Sequence, residues 1–493
     1  MTFNSIDFLL FFPIVILIYY IVPVKFRYIW LLIASYYFYS SWNVRYIIYL
    51  VPISFITYIL GLTLEWAETD GSGEQRKRNV KRLIIAVGTV VTIGILGILK
   101  YTDFFIINLN RIMIPCGIIL KEPEWDLLLP VGISFYTLQA LGYLIDIYRG
   151  KTHAERNIFR YALFLAFFPT IMSGPIERAG NLLKQLQGKI YLKVENLRYG
   201  LLSLAWGLFL KLVVADNMAV IVNGVIGDWQ SWKGCEIAMA VVIFGAQIYC
   251  DFNGYSQMAA GTAKILGIDI IKNFSAPYLA ENVKEFWRRW HISLTSWFTE
   301  YLYIPLGGNR KGTVRKYINT LIVFGISGLW HGASLNFVAW GLLNGIYLII
   351  YDMYSRIPQK RVPDSRLGTR VCKSILTFLA VDFAWFFFVM PDMGEAIGAL
   401  LHSIQNFKAP WLFSEGIFNM FPGRRELFNI LMSLSIVFGV DNMEYRGIDF
   451  REAVFGQNKA IRWLIYLFLT GMIILYGAYG GDYQQKAFIY FEF

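Results

Sequence analysis

The stretch that decides the fold spans residues 317–351 and reads YINTLIVFGISGLWHGASLNFVAWGLLNGIYLIIY. Its 35 residues include no Asp, Glu, Lys or Arg. A helix needs roughly 20 apolar residues to cross the hydrocarbon core of a bilayer, so this stretch is long enough for two passes. The sequence therefore predicts membrane-embedded helices here.

His331 lies near the middle of this stretch, and in a continuous helix it would be about 22 Å along the axis from Lys316. An ionisable side chain at that depth is costly unless it faces protein or water, so it marks a candidate site. Gly328 and Gly332 flank it and allow another backbone or a ligand to approach closely. Two interpretations stay open: a neutral imidazole that bonds across a helix interface, or a general base that accepts a hydroxyl proton near pH 7.

The rest of the chain has the same apolar character. Of its 493 residues, 56% are hydrophobic and only 16% are charged, whereas soluble domains are about a quarter charged. This composition excludes a soluble enzyme. The sequence predicts an all-α, polytopic membrane protein with about eleven transmembrane helices plus re-entrant segments, in a single domain over residues 1–493. The other charge-poor stretches are 8–24, 28–42, 46–64, 83–99, 127–145, 159–172, 199–215, 237–250, 374–390, 427–440 and 463–479.

The net charge of +11 comes from 45 Lys and Arg against 34 Asp and Glu. The basic residues cluster in short loops between apolar stretches, which is typical of the positive-inside rule and argues against a nucleic-acid partner. Residues 76–82 carry five basic residues and 358–370 carry four, so we expect both segments to be cytoplasmic. Counting back through three spans then places the N-terminus outside the cell.

A second histidine, His291, lies in a segment where tryptophans alternate with arginines. That composition fits an interfacial helix at the level of the lipid headgroups. It also fits an anion site, because basic residues lie on both sides of the apolar strip 292–306 and together suit phosphate binding at a cytoplasmic mouth. These basic residues are Lys284, Arg288, Arg289, Arg310, Lys311, Arg315 and Lys316.

Two carboxylates lie within apolar surroundings, Asp251 and Asp382, and each is expected to form a structural pair with a basic or hydroxyl group. The four cysteines stand far apart without a Cys-x-x-Cys pair, so neither a metal site nor a disulfide scaffold is predicted. Gly-x-Ser-x-Gly elbows, Walker loops and dinucleotide fingerprints do not occur, which disfavours hydrolase, ATPase and hydride-transfer chemistry. The chain shows no duplicated halves of the kind common in transporters.

Several motifs along the chain resemble those of the membrane-bound O-acyltransferase (MBOAT) family, most closely its bacterial polysaccharide O-acetyltransferase branch, typified by alginate O-acetylation. The resemblance covers about residues 1–350, with a weaker C-terminal match at 488–491. The run from Phe286 to Arg310 followed by Trp-His-Gly at 330–332 is its most specific part. The matching stretches are LPVGISFYT at 129–137, DIYRG at 146–150, SGPIER at 173–178, DFNGYS at 251–256, EFWRRWHISL at 285–294, YLYIPLGGNR at 301–310 and GLWHG at 328–332.

The resemblance implies that His331 is the catalytic histidine of the Trp-His-Gly motif and that His291 is the second family histidine, on the cytoplasmic side. It also implies helices arranged around a central tunnel. Two positions depart from the family pattern. Gln257 stands where relatives usually carry Asp, which removes a carboxylate, and Thr299-Glu300 stands where they usually carry Arg-Asp, which replaces a possible ion pair.

We therefore predict a transferase in a bacterial plasma membrane that moves acetyl from cytosolic acetyl-CoA to a hydroxyl from the outer face. His331 would deprotonate that hydroxyl, no metal would be required, and Asn336 and Ser327 are candidate donors to the oxyanion. The acceptor is either a polysaccharide or a serine on an extracytoplasmic SGNH-type relay partner, since the chain contains no recognisable esterase-like domain. The predicted donor-binding residues are Lys284, Arg288, Arg289, Trp290, Arg310 and Lys311.

Two other functions stay open. A D-alanyl transferase of the teichoic acid type would share the fold but would take its acyl group from a carrier protein. A polysaccharide exporter or flippase with basic substrate contacts would instead transport without consuming a donor. The YIPLGGNR stretch at 303–310 points to the acetyl branch of the family.

Overall fold

A computed structural model describes residues 1–69, 71, 73–121, 128–357, 367–408, 418–479 and 488. All regular secondary structure within these ranges is helical, which confirms the all-α prediction. The α-helices of this described part are α1 Ile6–Ile21, α2 Arg27–Ser40, α3 Ile47–Thr69, α4 Glu74–Met113, α5 Ile133–Tyr148, α6 Ile158–Ala166, α7 Ala179–Gln187, α8 Val194–Leu208, α9 Asp216–Ile226, α10 Gly234–Ile265, α11 Val283–Arg289, α12 Ile292–Phe298, α13 Thr313–His331, α14 Leu335–Ser355, α15 Leu367–Val389, α16 Met393–Gln405, α17 Arg424–Tyr445, α18 Phe450–Phe455 and α19 Lys459–Tyr476.

Eight helical segments of the described ranges are long and apolar enough to cross a membrane. This agrees with a polytopic membrane protein, while the expected number of about eleven spans and the central tunnel stay predictions. α1 is as apolar as these segments but has only 16 residues. The eight segments are Val44–Thr69, Glu74–Cys116, Val194–Ile226, Gly234–Ile265, Leu335–Ser355, Leu367–Val389, Arg424–Tyr445 and Lys459–Tyr476.

Contacts within the chain cluster into two compact units. The first comprises Met1–Leu201 and Ala259–Ile271, and the second comprises Leu202–Met258 and Lys272–Phe493. In the first unit, α5 is buried along nearly its whole length and packs against α3 and α4. This division into units does not test the expectation of a single domain over residues 1–493, which stays a prediction.

The apolar stretch 317–351 folds as the two helices that its length predicts. α13 and α14 pack tightly against each other and are separated by an extended break at Gly332. A Cβ atom at Gly328 would lie 2.2 Å from the carbonyl oxygen of Phe337, and one at Gly341 would lie 2.2 Å from that of Phe324. Glycine is therefore required at these crossings, as the small residues near His331 predict.

Two segments differ from the sequence-based expectation. α10 has 32 residues and continues well past the predicted end at 250, so Asp251 lies inside a helix rather than at its end. A lysine neutralises Asp251 within this helix, as described below. The basic residues 76–82 form the first turns of α4 rather than a free loop. Of the expected cytoplasmic segment 358–370, residues 358–366 lie outside the described residues.

Candidate active site

His331 is the last residue of α13 and lies inside an aromatic shell. It is 4% exposed. Its ring centroid lies 5.0 Å from those of Trp330 and Trp340, and 5.5 Å from that of Phe388. Trp340 belongs to α14 and Phe388 to α15, so three helices fix the imidazole. Because α13 ends at His331, the helix breaks directly after this residue, at Gly332. One continuous membrane helix would have no break next to the imidazole.

His291 lies between α11 and α12, where the backbone adopts a left-handed conformation with φ 43°. It is 1% exposed, so this histidine is not part of an exposed interfacial helix. Its ring packs edge-on against Phe252 at 4.7 Å between centroids. Burial disfavours the charged form and lowers the pKa of His291 to about 3. The imidazole is therefore neutral at physiological pH.

Asn273 holds His291 in place. Its side-chain oxygen Oδ1 lies 3.3 Å from Nδ1 of His291 and accepts hydrogen bonds from Oγ and the backbone N–H of Ser293. Its amide nitrogen donates to Oγ of Ser256. Because these donors fix the amide orientation, the atom facing Nδ1 is an acceptor, so Nδ1 carries the ring proton. Nε2 is then the basic nitrogen of His291.

Both histidines line one cavity of about 60 Å³. At roughly 10–15 Å³ for one water, it has room for about four water molecules or a group the size of an acetyl. The sequence predicted His291 and His331 separately, and the structure brings them together although 40 positions separate them. The other lining residues are Trp287, Trp290, Leu294, Thr295, Phe298, Thr299, Val323, Phe324 and Ser327.

The predicted donor-binding residues have different surroundings. Lys284, Arg288, Arg310 and Lys311 are exposed. Arg289 is half-buried; it forms an ion pair with Glu285, at 2.9 Å from guanidinium nitrogen to carboxylate oxygen, and donates to the carbonyl of Ser275. Trp290 is 1% exposed and lines the cavity, so it does not lie among the exposed cations.

The two departures from the family pattern lie in different places. Thr299 lines the cavity, whereas Gln257 does not.

Trp287 was missed as a functional residue, although it lies in the quoted EFWRRWHISL stretch. Its indole N–H is buried and has no acceptor among the residues that the structure describes. Asn273 was also missed, because no local pattern links it to a histidine 18 residues later.

Asn336 was predicted as an oxyanion donor. Its amide N–H groups instead donate to the carbonyls of Phe387 and Met390, at 3.2 and 2.7 Å. It therefore caps the end of α15, and that assignment was wrong.

The predicted pairing of Asp251 is confirmed. Lys211 lies in a π-helical turn, Phe209–Ala215, and its ammonium is 2.6 Å from Oδ1 of Asp251 and 3.0 Å from Oδ1 of Asp216. All three side chains are buried. Oδ1 of Asp382 has no hydrogen-bond partner among the described residues, so the pairing expected for this carboxylate stays a prediction. This carboxyl packs where a side chain on Gly245 would lie.

Gln257 takes part in a buried chain of hydrogen bonds along α10. Its Oε1 accepts from the guanidinium of Arg451, whose charge is balanced by Asp449 at 3.0 Å. Its amide donates to Asn253 at 3.2 Å, and Asn253 donates to the hydroxyl of Tyr249 at 3.3 Å. The neutral glutamine therefore keeps the contact with Arg451 that a carboxylate would make, without adding a second negative charge.

Metal-binding groups are not clustered in the part of the chain that the structure describes, where no three His, Cys, Asp or Glu side chains come together as a metal site requires. The four cysteines, which lie within these ranges, form no disulfide. The functional groups of the site are the two imidazoles, which can accept or release a proton, and the buried indole N–H of Trp287. These groups suit proton transfer in a small buried cavity. The expectation that no metal is needed stays a prediction.

Comparison with known proteins shows which family carries this site. The model of the membrane-bound O-acyltransferase family matches residues 154–390. The chain is 36% identical over 393 residues to the "Probable alginate O-acetylase AlgI" of Pseudomonas putida, with 79% of this chain and 77% of that protein aligned. It is 34% identical over 401 residues to the peptidoglycan O-acetyltransferase of Helicobacter pylori, with 76% and 72% aligned. A teichoic acid D-alanyltransferase of Bacillus subtilis is 26% identical, over 54% of this chain and 70% of that protein.

The matched region contains both histidines and the whole lining of the cavity. The apolar helices and the extent of the alignments agree with the resemblance that the motifs indicate. The chain belongs to the membrane-bound O-acyltransferase family and is a multi-pass membrane O-acyltransferase.

Proposed function

We propose that the enzyme transfers an acetyl group from cytosolic acetyl-CoA to a hydroxyl of an extracytoplasmic polysaccharide or of a relay protein, with His331 as general base. The observation that carries this proposal is the shared cavity of His331 and His291. Two imidazoles in one buried, acetyl-sized space provide a place where a thioester and an alcohol react away from water. The relatives named for alginate and peptidoglycan O-acetylation support acetyl as the transferred group.

In the proposed reaction, the acceptor hydroxyl gives its proton to the imidazole of His331 as its oxygen attacks the thioester carbonyl. The resulting tetrahedral intermediate collapses when the C–S bond breaks. An O-acetyl ester forms, and the departing CoA sulfur takes the proton back from His331. This sequence balances without a metal or an oxidant.

His291 is proposed to act beside His331 as a neutral acceptor. With its proton on Nδ1 next to Asn273, its Nε2 can accept a hydrogen bond from a hydroxyl or thiol in the cavity. Burial lowers the pKa of His291 to about 3, so this nitrogen is unprotonated at neutral pH when the substrates bind. His291 would therefore orient a reacting group rather than exchange protons with solvent.

Trp287 is proposed as a donor to the developing oxyanion. It lines the same cavity, and its buried indole N–H finds no acceptor in the described part of the chain. An unsatisfied buried donor is costly, and an acceptor that arrives with the substrate would remove that cost. Removing one oxyanion donor typically slows an enzyme by about 10²–10³-fold. Ser327, which also lines the cavity, remains the second candidate.

The exposed cations Lys284, Arg288, Arg310 and Lys311 are proposed to bind the phosphates of CoA. Arg289 would stabilise this region through its ion pair with Glu285, and Trp290 would contact the thioester end from the cavity wall. In this arrangement the donor enters from the cytoplasmic side of a bacterial plasma membrane, with the N-terminus outside. The acceptor, or an SGNH-type serine relay partner, approaches from the opposite side.

The test uses purified enzyme in detergent with radiolabelled acetyl-CoA, and measures release of free CoA. His331→Ala and His331→Gln should lose activity at least about 10²-fold, as expected for a general base. His153→Ala is the matched control, because this exposed histidine lies beside Glu65 and is not among the residues that line the cavity. CoA release at the parental rate by a folded His331→Gln enzyme would exclude His331 as the base.

The D-alanyl transferase remains a second candidate, favoured by the 26% identity to the teichoic acid D-alanyltransferase. The donor distinguishes the two functions. Labelling of the enzyme's acceptor from acetyl-CoA without a carrier protein supports acetyl transfer, whereas labelling only from a D-alanyl carrier protein supports the alternative. Transport without donor consumption, as an exporter or flippase would show, disagrees with both.

A further inference from the structure

A second cavity lies away from the two histidines, as a groove between α15 and α17. Its volume is about 360 Å³, within the range of about 300–1,000 Å³ typical of small-molecule sites. None of its lining residues belongs to the cavity of His331 and His291. Both helices are candidate membrane spans, so the groove opens where bilayer lipids pack.

The groove is polar at one end and apolar along its length. Arg370 in the first turn of α15 donates to the hydroxyl of Tyr445 at the end of α17, at 3.4 Å, so this end joins the start of one span to the end of the other. Phe378 lies eight residues along α15, about 12 Å deeper, and Phe438 lies seven residues back along α17, about 10 Å deeper. The lining is thus charged at one end and apolar beyond it, which matches a lipid with a charged headgroup and an acyl chain.

The polar end carries an excess of positive charge. Arg370 contacts Glu281 at 2.7 Å, and Lys373 approaches the same carboxylate at 3.9 Å. Arg446, which also lines the groove, is exposed and forms no ion pair within the described residues. The lining itself contains two arginines, Arg370 and Arg446, against the single carboxylate of Glu281, which leaves an excess of one positive charge at this end. The planar guanidinium of arginine can donate two parallel hydrogen bonds to the oxygens of one phosphate group.

The apolar walls are exposed on the surface of two candidate spans. Val371, Ile375 and Phe438 are 48%, 52% and 61% exposed. Side chains of this kind on a membrane span contact acyl chains in the bilayer. A chain that lies in the groove would cover them while its headgroup stays with the arginines.

We propose that this groove binds one anionic phospholipid, with its phosphate between Arg370 and Arg446 and one acyl chain along Ile375, Phe378 and Phe438. Basic pockets between transmembrane helices are typical sites for anionic lipid headgroups. The amide of Asn442 and the hydroxyl of Tyr445 line the same end and supply uncharged hydrogen-bonding groups. The groove shares no lining residue with the histidine cavity. The two are neighbours, because Tyr278 of the groove packs against Trp290 of the cavity at 5.9 Å between ring centroids, and Arg289 lies over the ring of Tyr445.

Delipidated full-length enzyme in detergent provides the test. Native mass spectrometry would compare binding of phosphatidylglycerol and phosphatidylcholine with identical acyl chains. We expect phosphatidylglycerol to bind at least tenfold more tightly, and R370Q/R446Q to remove that preference. Equal binding of the two lipids by the parent enzyme would overturn the proposal.

The matched control is R424Q/R425Q, which removes two exposed arginines from the opposite end of α17. It should leave the preference unchanged, and an equal loss in both double variants would show that net charge alone attracts the lipid. Because R370Q also breaks the contact with Glu281, I375W is a second variant that fills the apolar part instead. It should weaken binding of both lipids, and unchanged binding would overturn the placement of the acyl chain. Inorganic phosphate that competes as well as the lipid would reduce the site to a simple anion site.

Discussion

Asn273 precedes His291 by 18 residues, yet its Oδ1 lies 3.3 Å from Nδ1 of that histidine. This contact fixes both the orientation of the ring and the nitrogen that carries its proton. The same oxygen accepts from Ser293, and the amide nitrogen donates to Ser256 on α10, so one amide connects three parts of the chain. The relationship makes Asn273 a positioning residue for the proposed active site.

We expect Asn273→Ala to lower kcat by roughly 10–10²-fold with little change in KM for acetyl-CoA, because a displaced catalytic ring costs rate more than binding. Steady-state CoA release at varied donor concentration measures both constants. Asn217→Ala is the control, since Asn217 bonds to backbone carbonyls outside the cavity lining. A rise in KM at unchanged kcat would contradict the positioning role.

Trp287→Phe keeps an aromatic ring but deletes the buried N–H. We expect kcat to fall by about 10²-fold or more if this group stabilises the oxyanion. Trp385→Phe is a matched comparison, because the Trp385 indole N–H also lacks an acceptor among the described residues but does not line the cavity. Equal effects of the two substitutions on kcat would count against the oxyanion assignment.

Gly328→Ala should destabilise the α13–α14 pair. The added Cβ would lie 2.2 Å from a backbone oxygen of Phe337, which cannot move away as a flexible side chain would. Overpacking of this kind costs about 1–3 kcal/mol, so the thermal midpoint should fall together with activity. Gly325→Ala on the same helix meets nothing closer than 3.5 Å and should leave the midpoint unchanged. Identical midpoints for the two variants would show that the crossing tolerates a methyl group.

The buried His291 predicts how stability depends on pH. Its pKa is about 3 when folded and about 6.5 when unfolded, so between these values the unfolded state binds the extra proton. The free energy of unfolding should therefore fall as pH drops from 6.5 toward 3, by at most about 1.4 kcal/mol per unit from this group. Denaturant unfolding in detergent should show a shallower pH dependence for His291→Gln than for the parent protein. The same slope in both proteins would contradict the buried neutral state.

Lys211→Met should be severely destabilising, because it leaves the carboxylates of Asp216 and Asp251 buried without their shared cation. Breaking a buried pair from one side costs about 3–5 kcal/mol. The triple variant that also carries Asp216→Asn and Asp251→Asn should recover much of the stability, measured by thermal unfolding. A triple variant no more stable than Lys211→Met would show that charge balance is not the reason.

The sequence predicted some helices more accurately than others. Residues 317–351 predicted two passes from length and charge alone, and the structure contains two helices there with glycines at their contacts. Of these, α14 is a candidate membrane span, and the second pass stays a prediction. The end of α10 was not predictable in this way. Asp251 ends an apolar run in the sequence, but Lys211, 40 positions earlier, neutralises it, and a run of hydropathy carries no information about a distant partner.

The sequence by itself determined the membrane-embedded helical character, the family and the two histidines, because apolar runs and short motifs are local properties of the chain. Only the tertiary structure decided that these histidines share one cavity, that Asn273 orients one of them, and that Trp287 presents a buried donor there. Such relationships depend on contacts between residues far apart in the chain, and those contacts exist only after packing has fixed the helices.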